Sequence, residues 1–155
     1  NYQRIAGIFA NKNLTITQQR KAGFKAALAK HQLPYYENFC LHCHSIAETK
    51  EGFLQLLKQS KRPDALFVMS DEVLSVVIQV IYEEGLQIPK DMALICISNG
   101  YLPYYLQPKI THIKHSGYAV GQAAVNLLVD LVETPTMVLQ KQIELETYLV
   151  ELNSC

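Results

Sequence analysis

Apolar positions fall along the chain in two alternating rhythms. Ile5-Ala6-Gly7-Ile8-Phe9 is a short, nearly continuous apolar run, the pattern of a strand buried on both faces; Ala65-Leu66-Phe67-Val68-Met69 is a second buried strand, and residues 92–97 are a further strand. Between them the spacing turns helical. One helix starts at Thr15 or Thr17, either of which can cap it, runs to about His31 and stops at Leu33-Pro34. A weaker strand follows at residues 36–41, then a helix from about Ser45 to Gln59. After Ser70-Asp71-Glu72, Val73, Val76, Val77, Val80 and Ile81 recur at i, i+3, i+4, i+7 and i+8. The serine can cap this helix and the two acids suit its positive end. Gly85 stops it, and Pro89 fixes the turn into the next strand. Strand then helix, three times over, predicts right-handed βαβ crossovers and a parallel sheet.

Beyond Ile97 the rhythm changes. Residues 101–108 read as an aromatic, proline-broken loop, and 110–115 as a short strand or crossing segment. A helix over 118–133 carries Val120, Ala124, Leu127, Leu128 and Leu131 on one stripe and Val125, Val129 and Val132 on another. A helix apolar on more than one side asks for two partners. Alternation in 142–149 predicts a late strand, and no internal repeat is present. The fold class is α/β, a parallel-sheet sandwich of three layers. Ligands of such sheets bind beyond the carboxyl ends of the strands. Here those ends are residues 9–13, 41–44, 69–71 and 97–99.

Composition bounds the function. The 155 residues allow one domain or one lobe of a larger one. Fourteen Lys and Arg balance fourteen Asp and Glu, which argues against whole-surface attraction to nucleic acid or anionic lipid. No apolar run approaches the roughly 18 residues of a membrane helix. The chain enters its first strand almost directly after Asn1-Tyr2-Gln3-Arg4, so no signal peptide is read, and a soluble cytoplasmic protein is expected. Cys40, Cys43, Cys96 and Cys155 are too irregular for a disulfide scaffold. The first 36 residues hold six basic residues (Arg4, Lys12, Arg20, Lys21, Lys25, Lys30) and no acid: either a solvated helix face or a funnel for an anionic ligand.

Arg20 is the most informative single residue. Helical geometry puts it on one face with Ile16, Gly23, Phe24 and Ala27, where a guanidinium needs a carboxylate, a phosphate or several oxygens to offset desolvation. The competing reading is an arginine that snorkels to the rim or pairs with an internal acid. Ser70-Asp71 and Ser98-Asn99 each sit at a strand end. Each is either a helix cap or turn, or a pair of polar groups facing a crevice. Cys40-x-His42-Cys43-His44 offers zinc-ligand types, but no second CxxC or HxxxH accompanies it, so no metal is expected and a crevice role for a histidine is favoured. An enzyme would draw on Ser98 with His112 or His115, and on Asp71. No G-x-S-x-G elbow, HExxH or P-loop supports one, and Gly117-x-x-x-Gly121 reads as helix packing.

Arg4-Ile5-Ala6 followed by Thr17-Gln18-Gln19-Arg20-Lys21-Ala22-Gly23-Phe24 resembles the "RIA…R-x-x-G-[FY/W]" stretch of lactose-repressor (LacI/GalR) regulators. Arg62-Pro63-Asp64-Ala65-Leu66-Phe67 with Ser70-Asp71 is similar to their "PDA-[IV]-F…ND". Gly85-Leu86-Gln87-Ile88-Pro89-Lys90-Asp91-Met92-Ala93 resembles "GL-x-[IV]-P-x-D-[IL]-A", Pro108-Lys109-Ile110-Thr111-His112-Ile113 resembles "P-x-LTTI", and residues 121–128 "G-x-x-A…LL". The order holds across nearly the whole chain.

The resemblance implies a type I periplasmic-binding-protein-like effector domain, of which this chain is the latter part. Residues 1–115 and 137–150 would form mainly the C-terminal lobe, and the helix at 117–133 would pack on the other lobe. The helix-turn-helix that reads DNA would lie outside the chain. By position the resemblance makes Arg20 the effector-contacting arginine, with Ser70, Asp71, Ser98 and Asn99 beside it and His44 lining the crevice. His42 is the alternative to His44. Serine replaces the family's frequent Asn and Asp at positions 70 and 98. The implied partners are a small carbohydrate or sugar-phosphate effector and a second copy of the chain, with residues 73–81 and 101–106 near the two-fold axis and no cofactor. A solute-binding protein of transport shares the fold and is the other reading.

Overall fold

A computed structural model describes residues 2–134 and 142–155. The elements run β1 (Ile5–Phe9), α1 (Thr15–Lys30), β2 (Cys40–His42, after a 3-10 turn at Glu37–Phe39), α2 (Ile46–Leu57), β3 (Ala65–Val68), α3 (Asp71–Glu83), β4 (Ala93–Ser98), α4 (Leu102–Tyr105), β5 (Thr111–His115), α5 (Gly117–Glu133) and β6 (Thr147–Val150). The sheet order is β2-β1-β3-β4-β5-β6, with β6 antiparallel to β5 and every other pair parallel. The α/β sheet expected from the sequence is therefore present. Three boundaries differ. The strand expected at 36–41 is a turn followed by β2, the 101–108 loop contains the one-turn α4, and the late strand is confined to Thr147–Val150. The 137–150 segment expected to rejoin the lobe begins outside the described residues.

The two faces of the sheet are covered unequally. Ala6, Ile8, Leu66, Val68, Leu94 and Cys96 meet Phe53 and Leu56 of α2 and the valine stripe of α3, all buried. On the opposite face α1 lies over β1, and Phe9, Phe24 and Phe67 pack ring to ring with centroids 5.7–5.9 Å apart. A Cβ on Gly7 would run into the Phe9 ring, so glycine is what admits this cluster. Further along that face Ile95 and Ile97 are only half-buried.

Local chemistry sets the helix ends. Ser45 Oγ accepts the Glu48 N–H at 3.2 Å while the Glu48 carboxylate accepts the His44 N–H at 3.0 Å, a reciprocal cap for α2. Ser70 caps α3 and Ser116 caps α5. Helix α1 differs. Neither Thr15 nor Thr17 caps it, Leu14 holds the cap position, and Thr17 is buried with its hydroxyl 3.8 Å from the Met69 sulfur. The inward side of α1 is Thr17, Arg20, Lys21, Phe24 and Leu28, so the predicted face is rotated and Ile16 stays 48% exposed. After α3, Gly85 takes φ +67° and the Leu86 N–H reaches the Ile81 carbonyl at 3.0 Å. Gly85→Ala is expected to cost about 1 kcal/mol, read as a lowered denaturation midpoint, because a Cβ is strained at that φ.

The last residues fasten the sheet. Ser154 is fully buried; its Oγ donates to the Leu94 carbonyl at 2.6 Å and accepts the Thr111 N–H at 2.8 Å, joining β4 to the start of β5. Ser154→Ala strands both backbone groups and is expected to cost about 1–3 kcal/mol in urea unfolding. No residue of α5 is buried, and both of its apolar stripes lie open.

Candidate functional site

Strands β1 and β3 are neighbours whose following helices, α1 and α3, pass over opposite faces of the sheet. Such a switch point opens a crevice at the carboxyl ends. Helix α1 spans that edge. Arg20 Nη1 donates to the Met69 carbonyl beyond β3 at 2.8 Å, while Lys21 reaches the other way to Glu37 at 2.8 Å and to His42 Nε2, at the end of β2, at 3.2 Å. Adjacent residues thus pin α1 across β1. Burial lowers the Arg20 pKa, yet a guanidinium keeps its charge at any physiological pH. Among the described residues no carboxylate lies within ion-pair distance of it.

The structure ties most of the predicted site together through backbone. Ser70 Oγ accepts the Val73 N–H at 3.5 Å, so its hydroxyl serves as the α3 cap. Asp71 turns inward: one oxygen is enclosed without a hydrogen-bond partner, and the other lies 3.0 Å from where a Cβ on Gly100 would be. Its charge is felt by Cys96, whose thiol is pushed up to about 12, chiefly by burial and then by that carboxylate. Ser98 is 2% exposed and its Oγ accepts the Gly100 N–H at 3.1 Å. Asn99 is exposed. Arg20, Ser70, Asp71, Ser98 and Asn99 therefore border the ends of β3 and β4.

His44 is placed elsewhere. It is exposed and lines a cavity of about 450 Å³ between the β1–α1 loop and the first turns of α2 and α3, with Asn11, Leu14, Cys43, Glu72 and Val76 among its neighbours. Neither Arg20, Ser98 nor Asn99 lines it.

His42, the alternative left open by the sequence, is the histidine joined to Arg20's helix. Its ring stacks on Phe9 with centroids 5.7 Å apart, the two residues being register partners on one face. Lysine can only donate, so Nε2 accepts from Lys21 and the neutral ring carries its proton on Nδ1. Burial, then the Lys21 charge, holds the pKa below the usual histidine value. The unfolded chain therefore binds this proton more readily. The contribution is present above the unfolded pKa of about 6.5 and is lost as pH falls below it. The drop in melting temperature between about pH 7.5 and 5.5 is expected to shrink in His42→Phe, which keeps the stack and removes the titration.

The other chemistry does not assemble. Cys43 is buried, Cys40 half-buried and His44 exposed, and no group of three or more metal-ligating side chains among the described residues is placed to share an ion. His112 is buried with Nδ1 2.9 Å from the Ile110 carbonyl and its ring edge-on to Tyr104; its hydrogen bond does not go to Ser98. No helix among the described residues is long and apolar enough to cross a membrane.

A model of the periplasmic binding protein-like domain matches residues 1–155. The chain belongs to that family. Its curated relatives include repressors of transcription, and LacI-family regulators are among the solved structures it resembles. The ribose operon repressor of Escherichia coli K12 is 28% identical over 99% of this chain and 46% of its own length. The repressor PurR of Actinobacillus pleuropneumoniae is 29% identical over 85% and 40%. The chain spans less than half the length of these relatives. Among solved structures, a LacI-family regulatory protein from Chloroflexus aggregans superposes with a TM-score of 0.88 at 26% identity, over 99% of this chain and 55% of that one. A LacI regulator from Bacillus cereus subsp. cytotoxis gives 0.91 at 24%, over 99% and 55%, a likeness of fold.

Proposed function

We propose that this periplasmic-binding-protein-like chain is the effector-sensing and dimerising portion of a cytoplasmic LacI-type transcription regulator, with DNA read by a helix-turn-helix outside it. The observation that carries the reading is Arg20: a charged, partly desolvated guanidinium with no carboxylate partner among the described residues, fixed on the Met69 carbonyl at the switch-point edge. The names of the relatives, repressors of ribose operons and of PurR type, support the regulatory half. The open stripes of α5 support the lobe assignment, since a helix with no buried residue fits one that packs on a second lobe beyond this chain. Residues 1–115 and the β6 segment then form one wall of the crevice, and a small carbohydrate or sugar phosphate shifts the population between open and closed lobes. No catalytic step is part of this reading.

Dimerisation would use a surface other than the α3 valine stripe, which is buried in its own lobe. Helix α3 presents Glu72, Ser75 and Gln79 outward, and Tyr105 of α4 is 80% exposed, whereas Tyr104 packs on His112. The sensing claim is tested by thermal shift of the full-length regulator against sugars and sugar phosphates. A ligand at a hundred times its Kd adds about 2.7 kcal/mol, which is readily seen. Absence of a shift with every member would overturn it.

A further inference from the structure

We infer that Lys21 and His42 form a proton-operated latch: a neutral ring pins α1 to the end of β2, and a proton on His42 Nε2 releases it. The latch fastens α1 whatever the neighbouring edge binds. Its geometry is one hydrogen bond that only one protonation state of the ring allows. Lys21 Nζ, an ammonium with donors and no acceptor, lies 3.2 Å from His42 Nε2, so the bond lasts only while that nitrogen keeps its lone pair. A proton there turns the acceptor into a donor and sets two cations against each other across the same gap.

Of the two side chains, the lysine is the one free to leave. The His42 ring stacks on Phe9 with centroids 5.7 Å apart, its Nδ1 is enclosed beside the Ala10 backbone, and the β1–β2 register holds it level with Phe9. Lys21 has a flexible four-carbon stem, a side chain 24% exposed and a second partner in Glu37 at 2.8 Å. Once repelled it keeps Glu37, itself 74% exposed, and a pair of that kind fastens little. Arg20, the preceding residue, still holds the Met69 carbonyl. Helix α1, pinned on both sides of β1 at neutral pH, is then pinned on one.

The groups around the ring leave the switching to His42. Lys21 of α1 and Lys12 of the β1–α1 loop oppose an added proton, and Glu37 of the turn before β2 favours it. Strand β1 offers Phe9 and the Ala10 backbone, neither with a titratable side chain. Glu37 is held below the usual carboxylate range, chiefly by the Lys21 hydrogen bond, so it stays charged while the ring titrates. Cys40, two residues before His42, is pushed up by burial and stays a thiol. Lys25 sits over the Tyr35 ring, and His44 is exposed beyond the end of β2. Burial and then the Lys21 charge place the ring's transition below the ordinary histidine value of about 6.5, so acidification opens the latch.

The test is hydrogen exchange of the full-length regulator at about pH 7.5 and about pH 5.5, corrected for the intrinsic pH dependence of exchange, with α3 as the reference helix. On acidification α1 is expected to lose protection by roughly threefold to tenfold while α3 holds, since one proton shifts an equilibrium by at most about tenfold per pH unit. His42→Gln gives Lys21 an acceptor oxygen that does not titrate, and should keep α1 protected at both pH values. His42→Phe and Lys21→Met each remove half of the latch and should leave α1 equally loose at both. His44→Gln should behave as the wild type. A wild-type α1 equally protected at the two pH values would overturn the latch. So would loosening shared equally by α3, or a pH dependence that survives in His42→Gln or Lys21→Met.

Discussion

Arg20→Ala in the full-length regulator is expected to weaken effector binding by a hundredfold or more while the protein remains folded. Charge-assisted hydrogen bonds are worth about 1.5–3 kcal/mol each, so loss of a two-pronged contact exceeds the 2.7 kcal/mol that a hundredfold represents. The cost to folding is smaller. The substitution removes one part-buried bond, to the Met69 carbonyl, so about 0.5–1.5 kcal/mol is expected from that loss. Calorimetry on the wild type and the variant, beside their thermal melts, separates the two. A variant that binds its effector normally would remove Arg20 from the site, and a collapsed melting transition would make it a structural residue.

The largest effect on stability is expected from Phe9→Ala, at about 3–5 kcal/mol. Phe9 has no exposed surface and touches Phe24 of α1, Phe67 of β3 and His42 of β2 at once, so its removal leaves a void that three elements line. For a chain of this size that corresponds to a fall in melting temperature on the order of 10 °C. Phe9→Leu, which refills most of the void, should cost less than half as much. The variant also carries a functional signature. Without its ring the His42–Lys21 side of the edge loses its support, so residual effector affinity should fall along with stability. An unfolding midpoint within 2 °C of wild type, on the scale of about 2–4 °C per kcal/mol, would mean that the aromatic cluster is not the fastening of α1.

Much of the fold was legible because β1, β3 and β4 are apolar runs and the α3 stripe is regular; long-range packing only confirmed what local pattern specified. Helix α1 shows where pattern stops. Its sequence is rich in alanine and polar residues and has no marked apolar side, so Ile16, Gly23 and Ala27 looked as inward as Thr17, Lys21 and Leu28. The sheet decided the rotation by offering the Met69 carbonyl to Arg20 and His42 to Lys21. Likewise Ser154 shows no pattern of its own; its role exists only once β4 and β5 lie side by side.

At the site, sequence identified the strand ends but not the direction of each polar atom. Ser70, Asp71 and Ser98 fall where expected and then spend their oxygens on the backbone or bury them. Alternation alone cannot choose His42 over His44, because positions two apart share a face; the β1–β2 register decides, putting His42 level with Phe9 and ending β2 there.

The most direct test of a ligand-gated sensor is the affinity of the full-length regulator for its operator DNA, titrated with and without the compound that gives the largest thermal shift. Coupling between the two sites predicts a change of roughly 5- to 150-fold in DNA affinity, matched by an equal change in ligand affinity when DNA is bound, and lost in Arg20→Ala. A ligand that binds tightly yet leaves DNA affinity unchanged would contradict the regulatory mechanism.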